Sequence, residues 1–462
     1  MQGKQIGDLK RIYFIGIGGI GMSALARYFH SRGVAVSGYD KTATALTNAL
    51  TAEGIPVHYE DDPEQAPRDA DWVVYTPAVP SAHRELEYYK TNDYPVMKRS
   101  EVLQQITESS FNICVAGTHG KTTTTTMIAH LLRDSGYGCN AFLGGISANY
   151  GTNFWSSERD VCVIEADEYD RSFLRLSPDI AVVTAIDPDH LDIYGTAENV
   201  RNAFAEFAQR LKRSGLLIRK LGIGRELRAE HMWQYSLQND SANIYAVNIT
   251  MSDGGYDFDL VHPSAEISGL RLNMGGMHNV ENMVAAIAVA KALNIDPEKI
   301  RTAVASFKGV QRRFEYIIKQ KDLVFIDDYA HHPEELKALI NSVKTLFPQM
   351  KCTLIFQPHL YSRTRDFAQD FAAVLSRVNK VILLPVYPAR EQPIPGIESH
   401  TIAEQMDGAD PVIMTKEALL AWVSETFQKD REREFGEVII TAGAGDIDKL
   451  VEQIKERLTE TK

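Results

Sequence analysis

The segment that decides the fold is FNICVAGTHGKT, at residues 111–122. Its first half is mainly apolar and predicts a buried β-strand, and the residues from Lys121 to Leu132 predict a helix. Gly117 and Gly120 mark a tight turn between them, where backbone N–H groups and the positive end of the helix can surround an anion. A strand, a glycine turn and a helix in this order are typical of a phosphate-binding loop.

The polar residues of this loop predict binding of ATP and Mg2+. Lys121 is placed to pair with the β- and γ-phosphates, and the Thr122 hydroxyl to ligate the metal. The loop is shorter than the full GxxxxGK[ST] pattern, because Val115 stands where the first glycine belongs. The alternative is a glycine turn with a solvated lysine, which the flanking strand and helix disfavour. The predicted nucleotide-binding residues are Gly117, Thr118, His119, Gly120, Lys121, Thr122 and Thr123.

A second glycine loop follows the predicted strand at residues 11–15. Gly16, Gly18 and Gly21 form a GxGxxG pattern, and Asp40 stands nineteen residues beyond the last of them. Glycines of this kind let the backbone approach a diphosphate, and the acid accepts from ribose hydroxyls. The pattern suits NAD or a nucleotide sugar such as a UDP-sugar. The alternative is that this glycine loop is a turn needed only for packing of the helix on the sheet.

Acidic residues follow the next two predicted strands, at residues 161–165 and 180–185. Glu165 ends the first, and DPDHLD at residues 187–192 follows the second. Carboxylates at the carboxyl ends of parallel strands face one crevice, so Mg2+ can bridge them to ATP oxygens. His190 is a less usual magnesium ligand. The other acids of these clusters are interpreted as helix caps or solvated loop groups, namely Asp167, Glu168 and Asp192.

Past Gly309 the chain alternates again between predicted strands and helices. The strands are 323–326, 352–356, 380–385 and 437–441, and the helices 334–347 and 366–378. The loops DDYAHHP at 327–333 and QPHLYSRT at 357–364 follow successive strands. Their arginine and histidines are placed to clamp a small carboxylate, and Asp328 and Tyr329 to position a nucleotide. Between residues 216 and 274, short runs broken by Asp-Gly-Gly predict hairpins.

Length and composition limit the class of protein. A chain of 462 residues predicts about three folded domains. The formal net charge of −12 argues against nucleic acid or an anionic membrane as a partner. The apolar runs are too short to span a bilayer, the four cysteines form no CxxC pair, and no signal peptide is evident. We therefore expect a cytoplasmic protein.

The motifs together, in this order and spacing, resemble the Mur ligases, ATP-dependent enzymes of bacterial peptidoglycan synthesis, and within that family the branch that adds L-alanine. The motifs are GIGGIGMSALA (16–26), GTHGKT (117–122), EADE (165–168), DPDHLD, MHNVEN (277–282), RRFE (312–315), DDYAHHP, QPHLYSRT and TAGAGD (441–446).

The resemblance implies an α/β fold of three domains. Residues 1–109 would form a Rossmann-like domain for the UDP-sugar, 110–311 a P-loop ATPase-like domain for ATP, and 312–462 a Rossmann-like domain for the amino acid and ATP. The implied reaction joins L-alanine to the lactyl carboxylate of UDP-N-acetylmuramate through an acyl phosphate, releasing ADP and Pi. The chain would be a monomer or a homodimer.

The resemblance also assigns roles to residues. The catalytic group would be Lys121, His190, Glu165, His332 and Arg363, with Thr122, Glu165 and His190 on the metal. The adenine contacts would be His278, Asn279 and Asn282, and Arg313, Asp328 and Tyr329 would complete the nucleotide site. L-Alanine would meet His332, His359 and Arg363. The UDP portion would meet Gly16, Gly18, Gly19, Gly21 and Asp40. One departure is Leu360, which stands where some members carry a second arginine.

Three rival functions each account for part of the sequence. An NAD-dependent dehydrogenase explains the first glycine loop but leaves GTHGKT and EADE without a purpose. A non-catalytic nucleotide-sugar sensor has no need of intact Lys121, Thr122 and Glu165. The nearest rival is a recycling ligase that joins a whole tripeptide to UDP-N-acetylmuramate, although QPHLYSRT resembles the alanine enzyme.

Overall fold

The structure, a computed structural model, describes residues 4–80, 82–169, 171–187, 191–263, 265–389, 391–406 and 411–460. The chain divides into two compact units. The first consists of Met1–Asn248, Phe258–Leu270 and Val280–Phe307, and the second of Ile249–Asp257, Arg271–Asn279 and Lys308–Lys462. Among the described residues, no helix combines the length and the apolar character needed to span a bilayer.

The first unit begins with a parallel sheet covered by helices. Its strands are β1 (Arg11–Ile15), β2 (Ala35–Tyr39), β3 (Val57–His58), β4 (Trp72–Tyr75) and β5 (Val96–Lys98), and its helices are α1 (Ile20–Ser31), α2 (Ala45–Ala52), α3 (Arg84–Thr91) and α4 (Arg99–Ser109). The strand order is β3-β2-β1-β4-β5, and every pairing is parallel. The order reverses between β1 and β4, which is where ligands of such sheets bind.

A larger sheet follows. Its strands are β6 (Phe111–Ala116), β7 (Asn140–Phe142), β8 (Phe154–Trp155), β9 (Val161–Glu165), β10 (Ile180–Val183), β11 (Leu216–Lys220), β12 (His231–Leu237), β13 (Ile244–Ser252), β14 (Gly255–His262) and β15 (Ala265–Leu272). The helices are α5 (Lys121–Asp134), α6 (Leu191–Tyr194), α7 (Ala197–Gln209), α8 (Met277–Ala292) and α9 (Pro297–Ser306). The strand order is β15-β14-β13-β12-β11-β10-β6-β9-β7-β8. Since β6 lies between β9 and β10, the loop after β6 opens between their carboxyl ends.

The hairpins expected at residues 216–274 are present only in the second half of that segment. β13 and β14 are joined by Asp253 and Gly254, both with positive φ, as a two-residue hairpin turn requires. The expectation was wrong for β11 and β12, which extend the sheet in parallel. Short alternating runs look the same in a hairpin and at the parallel edge of a sheet, so the local pattern did not separate the two cases.

Helix α5 holds a run of five threonines that weakens its intrinsic helix propensity. Packing offsets this cost, because Thr123 to Thr126 are buried against the sheet. The hydroxyl of Thr125 donates to the Lys121 carbonyl, and that of Thr126 to the Thr122 carbonyl, each at 2.8 Å. The hydroxyls of Thr125 and Thr126 are thus satisfied within the helix itself, whereas Thr124 Oγ1 is buried without a hydrogen-bond partner among the described residues.

The two sheets of the first unit share one hydrophobic core. Tyr28 on α1 packs against Phe142 and Phe154 of the second sheet, with ring centroids 5.2 Å and 6.2 Å away. Arg27, also on α1, donates to the side-chain oxygen of Asn153 and pairs with Glu53 at 2.7 Å. These contacts bury the face of α1 that turns away from its own sheet.

The second unit is built on a six-stranded mixed sheet. Its strands are β16 (Glu315–Lys319), β17 (Leu323–Asp328), β18 (Lys351–Phe356), β19 (Lys380–Leu383), β20 (Val412–Ile413) and β21 (Glu437–Ala442), in the order β16-β17-β21-β18-β19-β20. Its helices are α10 (Pro333–Leu346), α11 (Tyr361–Asp366), α12 (Ala368–Leu375), α13 (His400–Ala403), α14 (Lys416–Trp422), α15 (Gln428–Asp430) and α16 (Asp448–Thr459). β17 and β18 both run parallel to β21, so the loops that follow them open at one edge.

Two local predictions for this unit were wrong. The helix expected at 366–378 is shorter, because α12 begins at Ala368 and ends at Leu375; Asp366 ends the separate helix α11, and Phe367 between the two has φ −116° and ψ 19°. The edge strand β16, which pairs antiparallel with β17, was not expected. β16 begins at Glu315, the last residue of the RRFE motif. The charged residues of this motif hide the alternation of apolar and polar residues that would predict a strand.

Candidate active site

The loop after β6 has a backbone that only glycine permits at two positions. Gly117 has φ +146° and Gly120 φ +79°. A Cβ atom at Gly117 would lie 2.1 Å from Thr184 Oγ1 and 2.9 Å from the backbone nitrogen of Ala185. Backbone atoms cannot move aside cheaply, so a side chain at Gly117 would force the loop away from β10.

The loop is anchored to the end of β10 by hydrogen bonds. The Thr118 backbone N–H donates to the Ala185 carbonyl at 3.1 Å, and the Asp187 N–H donates to Thr118 Oγ1 at 3.1 Å. Thr184 Oγ1 donates to the His119 carbonyl at 2.5 Å. The His119 ring is exposed. Thr118 therefore braces the loop, whereas the side chain of His119 points to solvent.

Lys121 begins α5 and holds two partners. Its Nζ donates to the Gly117 carbonyl and to Glu168 Oε1, both at 2.8 Å. Glu168 is only 1% exposed, and burial raises the pKa of its carboxyl while Lys121 acts to lower it. Our interpretation of Glu168 as a cap or solvated group was wrong, since it is a buried ion-pair partner of the loop lysine. Its partner lies 47 residues away, so no local pattern revealed the pair.

Thr122 and Glu165 come together as the metal prediction requires. Thr122 Oγ1 donates to Glu165 Oε1 at 3.0 Å, and the Gly144 N–H donates to Glu165 Oε2 at 3.0 Å. A hydroxyl and a carboxylate are hard oxygen donors, the class that Mg2+ prefers, so the residues present fit that ion. His190, the third predicted ligand, lies outside the described residues.

The start of α8 carries the three residues expected at adenine. Asn282 is buried with its side chain against the phosphate loop, since a Cβ at Gly120 would lie 2.9 Å from Asn282 Oδ1. Asn279 Nδ2 donates to the Gly275 carbonyl at 2.6 Å, which fixes the chain just before the helix. The ring of His278 is exposed and lies over Gly276. Adenine contact remains a prediction for all three.

In the second unit, Asp328 at the end of β17 organises the loop that follows. Its carboxylate accepts from the backbone N–H groups of Phe314 and Ala330, each at 2.7 Å. Desolvation raises the pKa of Asp328 to about 6, although Arg313 acts to lower it. The Arg313 guanidinium carbon lies 5.3 Å from the centre of the Tyr329 ring. The three predicted residues are thus neighbours, and Tyr329 offers a flat aromatic face.

Only part of the predicted amino-acid site is brought together. Arg363 Nη1 lies 3.5 Å from His359 Nδ1, and the His359 ring contacts that of His331 with centroids 5.7 Å apart. The His332 ring is instead packed on Phe367 at 4.8 Å. His331, which sequence reasoning did not single out, is the histidine beside His359 and Arg363. The two adjacent histidines of DDYAHHP gave no signal to choose between them.

Acid sensitivity of the second unit is expected to depend on His359. Burial above all, with His331 and Arg363 nearby, lowers its pKa from 6.5 to about 4. Between these values the unfolded chain binds a proton that the folded chain does not, so stability falls as the pH drops from 6.5 towards 4. His359→Gln should unfold with a urea midpoint that changes less over this range than the wild-type midpoint does. His231→Gln, at an exposed site, is the control; equal acid sensitivity of His359→Gln and wild type would contradict the prediction.

The first glycine loop lies at the carboxyl end of β1. The Gly16 and Gly18 N–H groups are both engaged, the first with the Tyr39 carbonyl at 2.8 Å and the second with Asp40 Oδ2 at 2.7 Å. A Cβ at Gly18 would lie 2.8 Å from the same Asp40 oxygen. At Gly19 a Cβ would meet its nearest atom at 3.6 Å, so sterics do not demand glycine there. The predicted loop and acid are thus in direct contact.

Comparison with known proteins decides the family. Three family models match: "Mur ligase family, catalytic domain" at residues 11–110, "Mur ligase middle domain" at 115–290 and "Mur ligase, glutamate ligase domain" at 312–445. The chain belongs to the Mur ligase family. The three-domain α/β Mur ligase fold expected from sequence is therefore confirmed.

Among individual Mur ligases, two curated relatives are named UDP-N-acetylmuramate–L-alanine ligase. The protein of Porphyromonas gingivalis is 46% identical, over 97% of this chain and 99% of its own. That of Parabacteroides distasonis is 48% identical, over 98% of each.

Two solved structures share the fold of this chain. A crystal structure of UDP-N-acetylmuramate–alanine ligase from Thermotoga maritima is 27% identical with a TM-score of 0.81, over 98% of this chain and 100% of that one. A murein peptide ligase from Psychrobacter arcticus, 20% identical with a TM-score of 0.66, shares the fold over 98% of this chain and 99% of its own.

Proposed function

We propose that this chain is a cytoplasmic UDP-N-acetylmuramate–L-alanine ligase, which uses ATP to join L-alanine to the lactyl carboxylate of the sugar nucleotide. The observation that carries the proposal is the phosphate loop with Lys121 at its centre and Thr122 on Glu165, in a chain whose full-length relatives bear that name. We assign the UDP-sugar to residues 1–109, ATP to 110–311, and the amino acid with part of ATP to 312–462.

The chemistry needs a phosphate loop because a free carboxylate does not react with an amine. Its negative charge repels the nucleophile, and oxide is not a viable leaving group. Transfer of the γ-phosphoryl group of ATP to the lactyl carboxylate gives an acyl phosphate, and phosphate is a good leaving group. The neutral amine of L-alanine then adds to the acyl carbon, and loss of Pi and of one amine proton from the tetrahedral intermediate leaves the amide.

The loop residues have separate tasks in the phosphoryl transfer. Lys121 Nζ lies 2.8 Å from the Gly117 carbonyl at the base of the loop, where a cation stabilises charge that spreads over the transferring group. Thr122 and Glu165 would hold Mg2+, which when bound neutralises phosphate charge. The N–H groups of the loop other than that of Thr118, which donates to the Ala185 carbonyl, would line the anion site.

Arg363 is the residue we assign to the carboxylate of L-alanine. A guanidinium binds a carboxylate through two parallel hydrogen bonds, and His359 beside it stays neutral at physiological pH because its pKa is about 4. A neutral imidazole neither competes with Arg363 for the carboxylate nor repels the amine. His332 lies at the start of α10, near enough in sequence to serve the same site.

ADP release with defined acceptors tests the function. The purified chain with MgATP and UDP-N-acetylmuramate should release ADP when L-alanine is added, and mass spectrometry should find the alanyl amide. The tripeptide L-alanyl-D-glutamyl-diaminopimelate is the competing acceptor. Turnover with the tripeptide alone would assign the recycling reaction instead, and absence of any amide would refute a ligase.

A further inference from the structure

An arginine that is not part of the GxGxxG motif lies beside the first glycine loop. Arg99 is the first residue of α4, directly after β5. A Cβ atom at Gly21, near the start of α1, would lie 2.2 Å from Arg99 Nη1. The guanidinium of Arg99 therefore occupies the space that a side chain at Gly21 would need.

The guanidinium of Arg99 is unpaired among the residues that the structure describes. Within the described parts of the chain, this half-buried guanidinium has no hydrogen-bond or carboxylate partner. The acid on the same helical turn, Glu101, is engaged elsewhere: it accepts from the Lys98 N–H at 2.7 Å, and its other oxygen lies 3.8 Å from Arg175.

Three other arginines of the same domain are paired with carboxylates. Arg11 lies 3.2 Å from Asp69, Arg27 lies 2.7 Å from Glu53, and Arg32 lies 3.2 Å from Asp160. A partly desolvated cation without a counter-ion is costly in a folded protein, so such a group is usually completed by a ligand. An unpaired arginine is unusual in this chain, because acidic residues outnumber basic ones and the net charge is −12.

The topology brings Arg99 to the edge where the sugar nucleotide is expected. β4 pairs in parallel with β1 on one side and β5 on the other, so the loop after β1 and the residue after β5 open at the same edge. A guanidinium offers a planar pair of N–H donors that matches two phosphate oxygens. We propose that Arg99 binds the diphosphate of the nucleotide-sugar substrate, an inference that rests on the proposed function of residues 1–109.

Binding of matched ligands tests the role of Arg99. UDP and UDP-N-acetylmuramate are titrated by calorimetry into wild type, Arg99→Gln, Arg99→Lys and Arg11→Gln, and uridine binding is followed by saturation-transfer NMR. Loss of a charged hydrogen-bonding group should weaken both diphosphate ligands about 10- to 100-fold in Arg99→Gln, and less in Arg99→Lys. Uridine binding should stay unchanged, and Arg11→Gln, altered at the opposite end of β1, should match wild type.

A second variant tests the contact itself. Gly21→Ala places a methyl group where Arg99 lies, and the flexible guanidinium must move. Gly21→Ala should thus weaken UDP binding about as much as Arg99→Gln, and the double variant should be no weaker than either single one.

The outcomes separate this inference from the proposed function. Wild-type binding of UDP by Arg99→Gln would overturn the inference and leave the function standing. Equal losses for uridine and UDP would also overturn it, because Arg99 would then shape the domain rather than contact the diphosphate. A wild-type chain that binds neither UDP nor UDP-N-acetylmuramate would refute the proposed function and the inference together.

Discussion

Lys121→Ala is expected to lower turnover by about 10³-fold or more while UDP-N-acetylmuramate still binds with wild-type affinity. The ammonium group of Lys121 lies 2.8 Å from the Gly117 carbonyl at the base of the phosphate loop, and cations at that place in phosphoryl transfer act mainly on the transition state. The glycine loop proposed for the sugar nucleotide lies in a different sheet. ADP release measures the first effect, and calorimetric titration with UDP-N-acetylmuramate the second.

The chain offers a matched control for this variant. Like Lys121, Lys212 donates to one backbone carbonyl and one carboxylate: its Nζ lies 2.7 Å from the Ser110 carbonyl and 2.9 Å from Asp179 Oδ2. Ser110 precedes β6, so this pair lies at the opposite end of the strand from the phosphate loop. Lys212→Ala should lose some stability and keep its turnover. Turnover of Lys121→Ala above a tenth of the wild-type rate would contradict the assignment. Loss of UDP-N-acetylmuramate binding in this variant would contradict it as well.

Glu168→Ala is expected to lower the free energy of unfolding by about 3 kcal/mol, because removal of one partner of a buried ion pair leaves the other charge uncompensated. Glu168 is 1% exposed and Lys121 15%, so solvent screens the pair little. Turnover should fall as well, since among the described residues Lys121 then keeps the Gly117 carbonyl as its one hydrogen-bond partner. Urea unfolding and ADP release measure the two effects.

Two further variants separate charge from packing at this pair. Glu168→Gln keeps the shape of the side chain and removes its charge, so its stability should lie between those of wild type and Glu168→Ala. In the double variant with Lys121→Ala, the losses in stability should be clearly less than additive, because the two residues act on each other. Additive losses would show that the observed pair contributes nothing to the fold.

Buried strands were the elements that could be predicted from the sequence. β1, β6 and β9 begin and end at the expected residues, because continuous apolar runs bounded by turns have few other conformations open to them. The glycine loops were predictable for a similar reason, since positive φ at Gly16 and Gly117 leaves a visible trace in the residue type.

Contacts between distant segments could not be predicted in the same way. Glu168 has the same local sequence whether it is solvated or paired with Lys121, and Arg99 lies 78 positions beyond the glycine that it packs against. The expected amino-acid site shows the same limit, because His331 and His332 are neighbours in sequence and only the loop after β17 decides which one faces His359.

The aromatic contacts between α1 and the second sheet limit how domains can be exchanged between such enzymes. Tyr28, Phe142 and Phe154 form a single interlocked surface, with Arg27 tied to Asn153 beside it. A chimera that grafts residues 1–109 onto the remainder of a different ligase would have to match that surface as well as the sugar nucleotide. Exchange of the first domain between these enzymes is therefore constrained by these contacts with the second sheet as well as by the choice of substrate.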